Sequence, residues 1–352
     1  YYINNYWIID LQNNLCRVRY QRKMHMKHIL HQCVNPKAVF RKVLPKYYKM
    51  AQMVKHHPMI MNWTDQEREG GLKKLYLKKT GLELDLENPK TFNEKLQWYK
   101  LYYYNPDLSR IVCKYNFKKY IEQKLGTSEH TAQLIGAWTS VDDIPWEKLP
   151  NRFVLKSNCQ SNANSIRFVH EKSSIDWPKL KEELKPWLIP ENTLLNSFCR
   201  AYYDVTPMII AEEFFVGELN DYKFWCFCGE PKFCYVASEH FFRGNKRTKI
   251  SLYDLHWNKI PTQYGDYPGN NVPPPRFLSE MIETSILLSK DFPFVRVDFY
   301  ETDEKWYLSE LTFYPGGGFH NIDKKVLEEW GEMFHLPSRK NKLGHKYRFD
   351  LL

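Results

Sequence analysis

The stretch FVRVDFYETDEKWYLSELTFYPGGG, residues 294–318, constrains the fold more than any other part of the chain. Its residues alternate with a period of two, the period of a β-strand whose side chains point to opposite faces in turn. Arg296, Asp298, Glu310 and Thr312 fall on even positions, and Val295, Val297, Phe299 and Leu311 on odd ones. If Glu301–Lys305 turns the chain through a loop of odd length, paired positions share parity. The segment then predicts an antiparallel hairpin with its four polar residues on one face and its apolar residues on the other.

Two readings of that polar face compete. Arg296 opposite Glu310 is a cross-strand ion pair contributing about a few tenths of a kcal/mol. Asp298, diagonal to Glu310 at ~7–8 Å between α-carbons, lies near enough for both carboxylates to reach one cation. Hard oxygen ligands select Mg²⁺, which takes one or two carboxylates together with substrate phosphates. Two acids on one face near a lysine able to grip phosphate favour the second reading.

Phe153-Val154-Leu155-Lys156 supplies such a lysine, at the end of a short apolar strand. The polar loop Ser157–Asn164 and a second strand, Ser165–Val169, follow it. A lysine beside a loop rich in backbone donors can hold phosphate oxygens; alone it is better explained by snorkelling from a sheet edge. Met208–Phe215 runs an apolar strand into Glu212, Glu213, Phe214 and Phe215. That segment can offer backbone groups to an adenine edge and a carboxylate to ribose, or it can be a strand leaving the core.

Composition bounds the rest. The 352 residues are 43% hydrophobic and 26% charged, which fits a folded soluble chain and excludes wholesale disorder. Lys and Arg number 51 against 41 Asp and Glu, a net +10 that favours acidic partners such as anionic lipid, nucleotide, nucleic acid or acidic glycan. The excess is concentrated in the first 125 residues, in runs such as RVRYQRKMHMKH. Eight cysteines show neither zinc spacing nor a disulfide framework, so a reducing, cytoplasmic setting is expected. Cys226 and Cys228, two apart on an expected strand, are read as buried thiols on one face. No run approaches the ~20 apolar residues a membrane helix needs. The chain begins with Tyr1 rather than Met, which leaves a lost targeting segment open.

Residues 1–88 read as a helical, basic region with a boundary at Pro89. Thr91 with Glu94 forms a capping box that opens a helix, and a further helix is expected over Leu108–Leu125, ending at Gly126. From Ala132 strands dominate, with helices at WPKLKEELKPWL and RFLSEMIETSILLSKD. This order predicts an α+β protein with antiparallel sheets.

In their order, these motifs resemble the ATP-grasp superfamily. NPKTFNEKLQW, LPNRFVLKSN, DYKFWCFCGEPKF and FPFVRVDFY…LSELTFYPGGG are similar, more narrowly, to the TupA-like ATP-grasp family, over roughly residues 70–337. The resemblance implies an ATP-grasp fold in which two α+β subdomains with antiparallel sheets, 89–205 and 206–340, hold ATP between them. Residues 341–352 form a tail. By the same resemblance Lys114 and Lys118 form the first nucleotide-contacting lysine motif, and Lys156 reaches the α/β-phosphates. Glu212, Glu213, Phe214 and Phe215 form the adenine hinge, and Lys223 joins the nucleotide-binding set. Asp298, Glu310 and Thr312 are implied as Mg²⁺ ligands, with Thr312 where many relatives have Asn. Arg296 steadies the reacting acyl phosphate, and Pro315–Gly318 forms the substrate-side loop. Two departures stand out: the loop Cys159–Asn164 contains no glycine, and Cys113 replaces a frequent Asp. Asn tolerates left-handed backbone better than other non-glycine residues, which partly compensates.

The expected reaction is ATP-dependent carboxylate–amine ligation through an acyl phosphate. The family association with teichuronopeptide and capsular polysaccharide implies a uronic acid or acidic amino acid as carboxylate. The implied partners are a small-molecule or polysaccharide carboxylate, an amine and an acidic glycan, with peripheral attachment to the inner membrane face as an option. Three alternatives are kept: a weakened ATP-grasp protein that binds nucleotide without turnover, a nucleotide-independent polysaccharide-modifying transferase, and a basic nucleic-acid-binding protein. The last is disfavoured because the lysines lie mostly outside any aromatic-interleaved sheet.

Overall fold

A computed structural model describes residues 7–10, 17–20, 64–103, 105–160, 165–189, 198–202, 204–217, 219–238, 249–265 and 269–337. The chain divides into two units, Tyr1–Pro58 and Met59–Leu352. In the first, Trp7–Asp10 (β1) pairs antiparallel with Arg17–Tyr20 (β2). The expected helix does not form at these two segments, where β-branched and aromatic residues favour extended backbone. The remaining residues up to 63, most of the basic runs among them, lie outside the described set.

The second unit opens with Asp65–Thr80 (α1), started by a Thr64/Glu67 capping box and stopped by left-handed Gly81. Phe92–Tyr102 (α2) starts at the predicted Thr91/Glu94 capping box. The single helix expected over Leu108–Leu125 is two: Asp107–Val112 (α3) and Lys114–Leu125 (α4). Cys113 breaks them with an extended ψ of 108°, turning the Lys114 N–H away from α3 to donate to the Asn158 carbonyl (3.1 Å). Gly126 ends α4 with φ 76°, as its position predicts.

Leu134–Trp138 (β3), Phe153–Ser157 (β4), Ile166–Val169 (β5) and, after the helix Trp177–Leu184 (α5), Ile209–Glu212 (β6) make a small antiparallel sheet in the order β3-β6-β4-β5. Alternation sorts its faces. Phe153, Leu155, Ile209 and Ala211 join Leu180 and Leu184 in a core beneath it. Val154, Lys156, Ile210 and Glu212 therefore project from the opposite face.

Asp221–Phe227 (β7), Glu230–Ser238 (β8), Lys249–Tyr253 (β9), Lys259–Ile260 (β10) and, after the helix Leu278–Ser289 (α6), Phe294–Glu301 (β11) and Trp306–Thr312 (β12) make the large sheet. Its order is β10-β9-β8-β7-β11-β12, antiparallel throughout. The helix Lys324–Met333 (α7) closes the described chain. Fully buried Trp225, Phe92, Phe294, Phe299 and Phe334 anchor a continuous aromatic core under this sheet, the use that the high aromatic content finds here.

The β7–β8 connection corrects the reading of the cysteines. Phe227 pairs with Glu230, so Cys228 and Gly229 form a two-residue turn, with φ of 51° and 87°. Two positive φ values suit the twist of a hairpin. Cys226 is buried, whereas Cys228 is exposed on the turn. The sheets are tied together where Thr131 bridges Leu308 and the Leu308 N–H donates to the His130 carbonyl (2.8 Å). The His130 ring stacks on Trp306 at 3.7 Å beside this tie.

Candidate active site

The hairpin presents its polar residues on one face, by a route different from the predicted one. Its turn, Thr302–Lys305, has four residues, so pairing beside it crosses parity: Glu301 faces Trp306 and Tyr300 faces Tyr307. A β-bulge then inserts Ser309 between Leu308, opposite Phe299, and Glu310, opposite Asp298. One extra residue shifts every later side chain by one face. The bulge restores the even set: Asp298 stands directly across from Glu310 and Arg296 across from Thr312. The expected diagonal and the Arg296–Glu310 pairing are thus both displaced by one step. Val295, Val297, Phe299 and Leu311 are buried on the reverse face, as predicted.

These four residues form one network. The Arg296 guanidinium grips Asp298 by two bonds, Nε to Oδ1 at 2.7 Å and Nη2 to Oδ2 at 2.5 Å, the fork geometry of an ionised carboxylate. Nη2 also reaches Glu310 (3.3 Å) and Thr312 (3.1 Å). The Thr312 hydroxyl donates to Glu310 Oε1 at 2.8 Å, and Oε2 has no hydrogen-bond partner among the described residues. Lys223, opposite Asp298 on β7, donates to Asp298 Oδ2 at 2.9 Å and pairs with Asp221 at 3.2 Å. Asp298 is fully buried, whereas the Glu310 side chain is 32% exposed. Burial would push the Glu310 carboxyl up, but Lys114, Arg296 and Lys223 outweigh it and hold it at about 2. Burial likewise works against the Lys223 charge, and Asp221 and Asp298 overcome it, raising the ammonium above its usual range.

A second charged knot lies on the face of the small sheet turned away from its core. Glu212, buried at the end of β6, accepts from Lys156 on β4 (2.6 Å) and pairs with Lys118 on α4 (2.7 Å). Burial opposes its charge, but Lys156 and Lys118 prevail and hold it at about 2. Lys114, first residue of α4, donates to the Gln160 carbonyl at 2.8 Å, fixing the start of the loop after Lys156. Asn158 reinforces that start, accepting from the Met208 N–H (2.7 Å) and donating to the Thr206 carbonyl (2.8 Å). Residues 161–164 lie outside the described set.

Beyond Glu212 the chain leaves the sheet. Glu213 returns to the Gln133 backbone, its N–H donating to the carbonyl at 3.0 Å and its side chain accepting from the N–H at 2.6 Å. Phe214 and Phe215 part company. Phe214 packs on His170, whereas Phe215 crosses to the large sheet and meets Tyr307 at 4.6 Å and Tyr300 at 5.1 Å. Tyr300 and Tyr307 stack on each other at 5.3 Å. These tyrosines extend the charged face with a flat aromatic wall that sequence reading missed. Tyr300 shares the parity of Asp298, a usable signal; Tyr307 does not, because the bulge intervenes.

Sequence reading also missed what holds the glycine turn after β12. Gly316, Gly317 and Gly318 all have left-handed φ, 56°, 63° and 68°, a run only glycine adopts without strain. Three α2 residues grasp it. Gln97 Nε2 donates to the Gly317 and Gly318 carbonyls (3.2 and 2.6 Å), the buried Lys100 ammonium donates to the Gly317 carbonyl, and Asn93 exchanges two bonds with the His320 backbone. Positions 93, 97 and 100 are one helix face. The NPKTFNEKLQW motif is thus the seat of the glycine turn.

Lysines, carboxylates and an aromatic wall converging between two antiparallel sheets define an ATP-grasp protein. The chain belongs to the TupA-like ATP-grasp family, whose model matches residues 94–335. Among solved structures it is similar to D-alanine–D-alanine ligase from Bacillus anthracis complexed with ATP, at 18% identity and TM-score 0.34, covering 58% of this chain and 55% of that one. It is also similar to N5-carboxyaminoimidazole synthase from Aspergillus clavatus in complex with ADP, at 13% identity and TM-score 0.35, covering 65% and 53%. The chain thus spans little more than half the length of either. No curated protein matches it. Among the described residues no helix is long and apolar enough to cross a membrane.

Proposed function

We propose that this chain is an ATP-dependent carboxylate–amine ligase that joins an amine to a carboxylate of an acidic surface glycan or its precursor. The observation that carries the reading is the bulge-set face on which Arg296, Asp298, Glu310, Thr312 and Lys223 form one hydrogen-bonded network. That network sits within electrostatic reach of Lys114. Family membership supports nucleotide as the phosphoryl source.

The residues fit Mg²⁺ and nucleotide unequally. Glu310, ionised, partly exposed and with Oε2 unpartnered among the described residues, suits a hard cation. Asp298 has both oxygens taken by Arg296 and Lys223, so it would join Glu310 in holding the ion only if those cations were drawn to phosphate. Among the described residues no three His, Cys, Asp or Glu gather around one point. A pair of carboxylates sharing the ion with phosphates is how Mg²⁺ is commonly held. In this reading Lys156 and Lys118, paired to Glu212 in the free chain, would take the α/β-phosphates, and Phe215, Tyr300 and Tyr307 the base.

Bound Mg²⁺·ATP supplies the phosphoryl group and neutralises charge developing on it. The chain's part is to orient and stabilise. Arg296 and Lys223 offer cations whose desolvated setting strengthens their pull on a developing anion. The α2-held glycine turn shapes the carboxylate side of the cleft. The substrate carboxylate oxygen attacks the γ-phosphorus, the bond to the β-phosphate oxygen breaks and ADP leaves; an amine then attacks the acyl phosphate carbon, the C–O bond to phosphate breaks, phosphate leaves and the amine loses a proton. Hydroxylamine trapping with Mg·ATP and a panel of uronates and acidic amino acids tests the reading. Hydroxamate that is lost in Glu310→Gln supports it. ATP binding without hydroxamate from any carboxylate would favour a nucleotide-binding protein without ligase activity, an outcome the glycine-free loop after Lys156 keeps in view.

A further inference from the structure

The small sheet carries a second feature, on the face turned away from Lys156 and Glu212. A groove of about 530 Å³ opens there, lined by Trp146, Trp177, Lys172, Lys181, Glu147 and Ser173 among others. Both indoles pack by one side on the core beneath the sheet. Their centroids lie 5.2 Å apart at an interplanar angle of 52°, so the rings form two walls of a trough. Trp146 stands on the 3₁₀ turn Trp146–Lys148, Lys172 on the 3₁₀ turn Lys172–Ser174, and Trp177 at the first turn of α5.

The charges on the groove are set. Lys172 donates its ammonium to the Glu147 and Leu149 carbonyls at 2.8 and 2.9 Å, which holds the cation in place without neutralising it. Neither Lys172 nor Lys181 has a carboxylate partner among the described residues, although ion pairs are frequent elsewhere on the surface. The Trp146 indole N–H is likewise without a hydrogen-bond partner, a state that costs about 1–3 kcal/mol for a buried donor.

We propose that this groove binds an acidic oligosaccharide, with the indole faces against sugar C–H surfaces and the two ammonium groups on carboxylates. Amphipathic aromatic faces with polar groups between them suit a ligand that is itself apolar on its ring faces and polar at its edges. Uncompensated cations select an anionic one. A trough favours an elongated chain over a flat membrane surface. Because the groove lies on the far face of the sheet from Lys156, its ligand is a stretch of glycan away from the reacting carboxylate, which is held in place while another part is modified. The proposal rests on the acidic-glycan reading given above.

Calorimetric titration of the full chain with tetragalacturonate, with maltotetraose as the neutral comparison, tests it. Mg·ATP thermal stabilisation is followed in parallel for every variant. Tetragalacturonate is expected to bind, to weaken at high salt, and to lose about tenfold or more in affinity in Trp177→Ala, the loss of a well-packed aromatic contact. Lys181→Glu, a surface change that leaves the core intact, is expected to weaken the same ligand severalfold, with the Mg·ATP shift unchanged. Absence of binding with the Mg·ATP shift intact would overturn the groove and leave the nucleotide reading standing. Equal binding of maltotetraose, unaltered affinity in Lys181→Glu, or capture of the chain by anionic phospholipid vesicles in a Trp177-dependent way would each overturn it as well.

Discussion

Asp298 and Glu310 face each other directly across β11 and β12, yet they hold opposite stations. Asp298 is fully buried with both oxygens engaged, whereas Glu310 has one oxygen without a hydrogen-bond partner among the described residues and a third of its side chain open. Removing charge from each should have separable effects. Asp298→Asn strands Arg296 and Lys223 in a desolvated site and should destabilise the fold by about 3 kcal/mol. Glu310→Gln gives up the pairing of a side chain that is a third exposed, so it should cost less stability than Asp298→Asn while abolishing hydroxamate formation. Urea unfolding of both variants, set beside activity, checks the contrast.

Glu212 and Glu310 make stability depend on acid. Each has a folded pKa of about 2, below the ordinary carboxylate value of 4.5. The unfolded chain therefore binds more protons between those values. The stabilisation is complete above about pH 4.5 and is lost as pH falls toward 2. Urea midpoints measured from pH 6 down to 3 should fall. In Glu212→Gln, which lacks one of the two groups, the fall should be shallower from a lower starting point.

The aromatic wall gives a test of nucleotide contact. Phe215 touches both Tyr300 and Tyr307, and its loss should weaken the platform without breaking a charge network. Phe215→Ala should raise the Kd for Mg·ATP by about tenfold, on the scale of one aromatic contact, as read by thermal shift across an ATP titration. Phe214→Ala, which removes a contact with His170 instead, should not.

Gly331 and Gly70 make a matched pair of helical glycines. A Cβ on Gly331 would stand 1.9 Å from the Lys90 carbonyl oxygen, whereas one on Gly70 meets nothing within 4 Å. Gly331→Ala must push α7 off the segment that opens α2, and should cost about 3 kcal/mol or prevent folding. Gly70→Ala should stabilise by about 0.5–1 kcal/mol through helix propensity. Thermal melts of the two variants give opposite signs.

Much of the site was legible because its residues obey local periodicities. Parity marked the face of Arg296, Asp298, Glu310 and Thr312, and the Thr91/Glu94 box marked the start of α2. Yet parity gave the right face through the wrong turn: four residues close the hairpin, and Ser309 restores the phase. A bulge leaves little trace in alternation, since it depends on how two strands seat on a common core. The break at Cys113 was hidden for a similar reason. It is set by a bond from the Lys114 N–H to Asn158, a partner on another element. The α2 hold on the glycine turn joins residues more than 200 positions apart, beyond the reach of any local pattern. Cys228 was misplaced because a cysteine seldom occupies a left-handed turn.

The tie between the sheets has one further consequence. Leu308 is joined to the segment leading into β3 through the His130 carbonyl and the Thr131 bridge, and it is also the last paired residue before the Ser309 bulge. A force applied at this tie falls on the strand segment that sets the phase of Glu310. A displacement of the small sheet therefore cannot be mechanically independent of how the Glu310 carboxylate is aimed.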